Sequence, residues 1–537
     1  MRSITLLLLI VNVGYCFFGS TPDEGDYRHL YPELCIAYNV NFEEILSYSL
    51  GWLENLKYPK DRTKVLILTD VKDTINEWMS EYKSLYSYLT VETKDANYLE
   101  QSLKFGRRLK CSYLLLTTSD IFLAENSVRD LMALKQVVVS GLVKDPFSLH
   151  SNGKGLVDIV HLSGEKLEML RVYYANSPLL INLKHKDASY LTFDEQNVRD
   201  NIEAKSPVEV FAYSAYNMDI PIFLDNSVFY GYIIDSRMTR IQLLQKLASF
   251  NYQMWINNNQ VVYSNVIPPW QPVEHTYGFD KIYVINLKRR PERKKRIQKS
   301  LAMLGIEHDV FEAVDGMSLD EGTMKHVTIL PGYLDPFHKR PLKKGEIGCF
   351  LSHYRIWKDI VDNGYERVIV FEDDIKFSEN ATTILREFME DIIKRQTEWD
   401  FVYLGRKKND AKNQEYYVPG HRYLSTVTYS YWTLGYALSR SGAQKLLDSK
   451  PLEKMIALDE YLPIMYDNHP NQEWKNHFPV RDLKAFTVYP LVVHPDKYLH
   501  EAGYLSDTEN STVISSNESH NTGALGLNLH HQAKSEL

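Results

Sequence analysis

Three consecutive acids, Glu372-Asp373-Asp374, follow the apolar run Val368-Ile369-Val370-Phe371. Carboxylates packed so closely repel one another unless something positive sits among them. The apolar run reads as a buried strand, and ligands of α/β proteins gather at the carboxyl ends of such strands. Hard oxygen donors in that place suit Mg2+ or Mn2+ together with a diphosphate. A metal held by Asp373 and Asp374, with Glu372 beside it, would neutralise charge developing on a departing nucleotide. The plain alternative is a solvated acidic turn, and the acids alone do not decide it.

A cationic stretch offers the complement. Asn286-Leu287-Lys288-Arg289-Arg290-Pro291-Glu292-Arg293 follows another strand-like run and leads into a helix that Pro291 opens. Helix starts favour acids, so this many cations there points to an anionic ligand met by side chains and backbone N–H groups. Asn286, Arg290 and Arg293 are the candidates for that contact; a surface basic run is the bland reading. Farther on, Leu458-Asp459-Glu460-Tyr461-Leu462-Pro463 sets two acids in apolar surroundings. An inverting sugar transfer needs one carboxylate to take the acceptor hydroxyl proton, a role open to Asp459 or Glu460. A helix cap is the ordinary alternative for Asp459. The segment Gly345-Glu346-Ile347-Gly348-Cys349-Phe350-Leu351-Ser352-His353 reads as a core-facing helix. Its polar exceptions are Ser352 and His353, and such a histidine is more often structural than catalytic.

The elements that must position these residues fall into two sets. In the first half, strand-like runs at 34–40, 64–69, 113–117 and 136–142 alternate with helical patterns at 42–56 and 74–88. That alternation predicts a mostly parallel sheet covered on both faces. Residues 182–271 look less regular, and Pro268-Pro269-Trp270-Gln271-Pro272 marks a boundary, since proline can join neither a helix interior nor a central ladder. A second α/β unit then runs through a strand at 281–287, a helix from Pro291, a helix at 346–362, and strands at 367–371, 400–404 and 433–438. The expected domains are thus 30–271 and 278–505, followed by a polar tail at 506–537.

Bulk properties agree with such a protein. At 537 residues two cores are expected, and 44% hydrophobic with 24% charged residues is ordinary for globular chains. A net charge of −8 argues against a nucleic-acid partner. Arg2 followed by an apolar stretch at 4–11 and small residues near Gly14 and Cys16 has the layout of a secretory signal peptide, assigned to 1–16. No longer apolar stretch predicts a membrane span. Lys534-Ser535-Glu536-Leu537 differs from a lumenal retrieval signal at one position, which makes the endoplasmic reticulum lumen the expected address and a retrieval receptor an expected partner. Cys35, Cys111 and Cys349 allow at most one internal disulfide. Sequons begin at Asn380, Asn510 and Asn517.

Taken together, the stretches at 285–293, 345–353, 371–374, 439–447, 458–463 and 503–509 resemble glycosyltransferase family 25, in its two-domain animal procollagen galactosyltransferase form. The resemblance covers nearly the whole mature chain. It implies two nucleotide-sugar-transferase-like domains of GT-A type and transfer of galactose from UDP-galactose to hydroxylysine of collagen, with Mn2+ as cofactor. It also implies that Asp373 and Asp374 sit at the metal and diphosphate. One departure stands out. Where the family's first domain carries Asp-x-Asp, this chain has Thr118-Ser119-Asp120, and one carboxylate holds a divalent ion poorly. The first domain is therefore expected to be structural or acceptor-binding. Because the family includes catalytically silent relatives, the alternative for the whole chain is a collagen- or cell-binding glycoprotein.

Overall fold

A computed structural model describes residues 28–70, 73–145, 161, 163–198, 206–234, 239–497, 501–504, 506–508 and 510–513. The signal at 1–16 and the final tetrapeptide lie outside them. The chain divides into two compact units, Met1–Gln271 and Pro272–Leu537.

In the first unit, four parallel strands come in the order Tyr88–Glu92, Thr63–Leu68, Leu34–Asn39, Tyr113–Thr118. Antiparallel pairing of Leu179–Asn182 to the last of them extends the sheet through Val138–Gly141 and Ile222–Asp225 to Met169–Val172. Leu34–Asn39 is buried at every residue, as a strand with neighbours on both edges and helices on both faces must be. Cys35 on that strand is joined to Cys111, which precedes Tyr113–Thr118; their Cα atoms are 5.7 Å apart. The stretch read as irregular holds more structure than its composition suggested. Pro207–Asn217 and the 17-residue Arg240–Ile256 are helices, the latter opened by a capping box between Thr239 and Gln242. Asn and Tyr content masked that signal.

The second unit repeats the plan. Strands Asp309–Glu312, Lys281–Asn286 and Arg367–Glu372 run parallel. Ser430–Ser439 then pairs antiparallel to Arg367–Glu372, followed by Phe401–Lys408, Ala485–Val488 and Leu424–Thr426. Helix Lys344–Asn363 buries Ile347, Phe350, Ile356 and Trp357 in one core with Val368, Val370 and Tyr436. Among the described residues no helix is long and apolar enough to cross a membrane.

Residues 506–508 and 510–513, which composition assigns to the polar tail, are hydrogen-bonded to the second unit. Lys344 N–H donates to the Thr512 carbonyl at 3.0 Å, Gly345 N–H to Ser511 Oγ at 2.9 Å, and Lys343 bridges Val513. Residues 506–508 and 510–513 thus dock on the start of helix Lys344–Asn363. A polar segment can be held by hydrogen bonds and ion pairs that a reading based on hydrophobicity does not register.

Candidate active site

Backbone register brings the sequence motifs to one edge. Ile285 pairs with Glu372, so Asn286 and the acids leave the sheet side by side. Phe371 lies opposite Gly435, where a Cβ would come within 2.7 Å of the Phe371 ring; only glycine lets these strands pack here. Gly345 does the same for the segment around Asp507, since its Cβ would meet the Asp507 carbonyl at 2.7 Å and Ser511 Oγ at 2.8 Å. The resulting cleft is lined by Leu287, Arg289, Arg293, Asp315, Cys349, Ser352, His353, Glu372, Asp373, Asp374 and residues 506–508.

The acids are undersupplied with positive charge. Asn286 Nδ2 donates to Asp373 at 2.5 Å and to the Arg290 carbonyl at 3.1 Å. Arg293 reaches Asp373 at 3.4 Å and Asp374 at 3.2 Å. Glu372 accepts from Thr433 at 2.8 Å. Burial pushes Glu372 up to about 7, with Asp373's charge adding to it and the Thr433 hydrogen bond opposing. Burial and Asp374's charge lift Asp373 to about 6; burial and Glu372's charge lift Asp374 to about 6. Asp374 Oδ1 is buried with no hydrogen-bond partner. One guanidinium shared by these carboxyls, and an orphaned oxygen among them, fit a divalent cation with oxygen ligands.

The arginines of the basic loop face a different acid. Arg289 bonds Asp315 at 2.8 Å and Asp507 at 2.6 Å, and Arg290 grips both oxygens of Asp507, with Nη2 at 2.7 Å. Burial works the other way, yet Arg290 and Arg289 hold Asp507 below the usual carboxylate range. A carboxylate therefore rests where the sequence reading placed a phosphate ligand. Arg290 is accordingly apart from the metal-side acids, whereas Asn286 and Arg293 touch them. Asp507 escaped notice as a site residue because it adjoins the polar tail; its place in the 503–509 motif was the available signal.

The two acids of 458–463 have separate fates. Glu460 is 1% exposed and accepts from Tyr429 at 2.7 Å and from Tyr431, with His469 Nε2 at 2.6 Å. Both its oxygens are committed, which makes it a brace for its helix, Leu458–Met465. Asp459 is only partly buried, and it accepts from the backbone N–H of Trp432, a residue held at φ +68. Left-handed backbone is unusual for so bulky a residue, and here it aims an N–H at a carboxylate. Burial, with Glu372's charge adding to it, pushes Asp459 up to about 7, near the operating range of a general base.

His353 is 1% exposed, its Nδ1 2.8 Å from the Tyr436 hydroxyl and its Nε2 3.8 Å from Glu372. Trp357 Nε1 donates to the same hydroxyl at 3.1 Å. Burial lowers this imidazole to about 3, so it stays neutral. Ser352 donates to the Gly348 carbonyl and accepts from Val314 N–H, a structural role.

An α/β unit with an acid cluster, a basic loop and a raised carboxyl near the carboxyl ends of its parallel strands has the arrangement of a candidate active site. Sequence comparison narrows it further. Residues 279–462 match glycosyltransferase family 25 (LPS biosynthesis protein). The chain is 33% identical to procollagen galactosyltransferase 2 of Mus musculus, across 92% of this chain and 88% of that protein. It is also 33% identical to a glycosyltransferase 25 family member of Aedes aegypti, across 95% and 91%. The protein belongs to glycosyltransferase family 25. Among solved structures, the Pyrobaculum calidifontis mannosyltransferase PcManGT with GDP-Man and Mn2+ is 12% identical over 48% of this chain and 72% of its own, at a TM-score of 0.28, too distant to inform the site.

Proposed function

We propose that this protein transfers galactose from UDP-galactose to hydroxylysine of collagen, using Mn2+, in the lumen of the endoplasmic reticulum. The observation that carries the reading is the acid cluster at the end of Arg367–Glu372, with its orphaned Asp374 oxygen, the Arg293 guanidinium that Asp373 and Asp374 share, and Asp459 nearby. The names of the relatives supply the sugar and the acceptor. The Cys35–Cys111 disulfide suits an oxidising compartment.

Asp373 and Asp374 would hold the Mn2+, which supplies Lewis-acid stabilisation of the departing diphosphate. Arg293 adds positive charge on the same side, and Asn286 fixes the Asp373 carboxylate. Asp459 takes the hydroxyl proton of the acceptor as its oxygen bonds the anomeric carbon. The bond to the diphosphate breaks, and its electron pair leaves with UDP. Glu460, braced by Tyr429, Tyr431 and His469, holds the helix that presents Asp459. Arg289 and Arg290 bind the donor's phosphates once Asp507 gives way.

The test is a transfer assay across nucleotide sugars, with and without a hydroxylysine-bearing collagen peptide and Mn2+. UDP-galactose should be consumed fastest and only with metal. A purified, folded protein that transfers no sugar yet binds collagen would establish the binding-glycoprotein alternative, for which Thr118 is the one supporting residue.

A further inference from the structure

Cys349 and His353 stand one turn apart on helix Lys344–Asn363, on the side that faces the end of strand Arg367–Glu372. The Cys349 sulfur, a His353 ring nitrogen and a Glu372 oxygen all lie within 4.8 Å of one another. Cys349 is the free cysteine among the described residues. None of this is needed for sugar transfer as derived above, where Glu372 only borders the metal-side acids.

As a nucleophile the thiol is poor: burial and the charges of Glu372 and Asp459 push it well up. As ligands, the three groups form a coherent set. Sulfur, imidazole nitrogen and carboxylate oxygen suit Zn2+, whereas Mn2+ prefers oxygen alone. Zn–S and Zn–N bonds of about 2.3 and 2.0–2.1 Å set tetrahedral ligand atoms roughly 3.5 Å apart. His353 Nε2 and Glu372 Oε1, at 3.8 Å, are already close to that spacing. His353 is neutral, as a metal ligand must be. The Tyr436 oxygen, 2.8 Å from Nδ1, can accept the N–H on that nitrogen when Nε2 binds a metal. A fixed partner on the second ring nitrogen is the usual support of a metal-bound histidine.

We propose that Cys349, His353 and Glu372 form a Zn2+ site in the wall of the donor cleft, and that zinc bound there inhibits transfer. On binding, the thiol proton passes to solvent and Glu372 turns toward His353, away from Asp373 and Asp374. The inhibitory part rests on the functional reading above; the binding part does not.

The test uses the full chain, stripped of metal and titrated with Co2+ as a spectroscopic probe, in the presence of Mn2+. A thiolate-to-cobalt charge-transfer band should appear at one equivalent and be bleached by Zn2+. Cys349→Ser and Cys349→Ala should abolish the band, and His353→Asn should weaken Zn2+ binding at least tenfold. The pair Asp373→Asn and Asp374→Asn should keep the band, because the proposed Mn2+ ligands are not used. In the transfer assay, Zn2+ should inhibit the parent at least tenfold more potently than Cys349→Ser, each measured against its own zinc-free rate. No thiolate band, or a folded Cys349→Ser that binds Zn2+ as tightly as the parent, overturns the site. A band without inhibition of an active enzyme overturns the inhibitory role. If no transfer is detected at all, the band still tests the site, and the failure belongs to the functional reading.

Discussion

Strand Tyr113–Thr118 in the first unit and strand Arg367–Glu372 in the second each close the parallel half of a sheet, with an antiparallel strand beyond. Each leads through two residues into a short strand, Ile121–Leu123 or Ile375–Phe377, that pairs antiparallel with a later one. Thr118, Ser119 and Asp120 therefore stand where Glu372, Asp373 and Asp374 stand. Asn39, the last residue of Leu34–Asn39, likewise matches Asn286. The chemistry differs at each place. Asn286 donates to Asp373, while Asn39 donates to Asn41 and the Thr118 hydroxyl bonds Asp120. Beyond the first strand, the second unit carries Arg289 and Arg290, whereas the first carries Glu43 and Glu44. Shared architecture brings these residues to the same end of both sheets, but the acid cluster and the basic loop are present in one. Fold and site are separable.

The largest test of that contrast is the double replacement Asp373→Asn, Asp374→Asn. Transfer should fall below detection while the protein stays folded, whereas Asp120→Asn, a near-isosteric change at a buried residue of the other unit, should leave the rate within about twofold. The reverse pattern would move catalysis to the first unit. Asp459→Asn should lower kcat by roughly 10²–10⁴, the usual scale of a lost general base, and should remove the limb of the pH–rate profile near pH 7. A Glu460→Gln variant sharpens this. It should lower kcat less than Asp459→Asn and keep that limb, because Glu460 acts through its helix.

The units should also differ in what holds them. Cys35→Ser opens a crosslink spanning 76 residues of sequence in the first unit and should destabilise it by about 2–4 kcal/mol in chemical denaturation. An unchanged midpoint would mean the crosslink contributes little. The smallest effect concerns the acids. With Glu372, Asp373, Asp374 and Asp459 raised in the metal-free fold, the folded chain keeps protons that the unfolded chain has released. Stability from this source is present below about pH 4 and is lost as pH rises through about 6 to 7. The second unit's Tm should accordingly drop between pH 5 and pH 8 without metal and recover with Mn2+. Asp373→Asn should raise the metal-free Tm at pH 8 even as it removes activity. A Tm indifferent to both changes would show that the acids are not strained by one another.

Much of this was present in residue order. Apolar runs of strand length and the proline-rich stretch near 270 mark the two α/β units, because burial on both faces of a parallel sheet demands unbroken apolar sequence. The acid run, the basic loop and the 458–463 pair could be picked out for the same reason: charges next to buried strands need partners. Residue order could not say which partners. Glu460 looked as free as Asp459 until Tyr429, Tyr431 and His469 closed around it. Asp507 looked like the start of a tail, yet it lies against Arg289 and Arg290, more than 200 residues earlier in the chain. Cys349, His353 and Glu372 come from a helix and a strand whose pairing no local pattern encodes. Periodicity and composition report what each segment buries, which is local. Which polar atoms meet depends on strand order and on where the segment around Asp507 docks, and those are set by the packing of the whole unit.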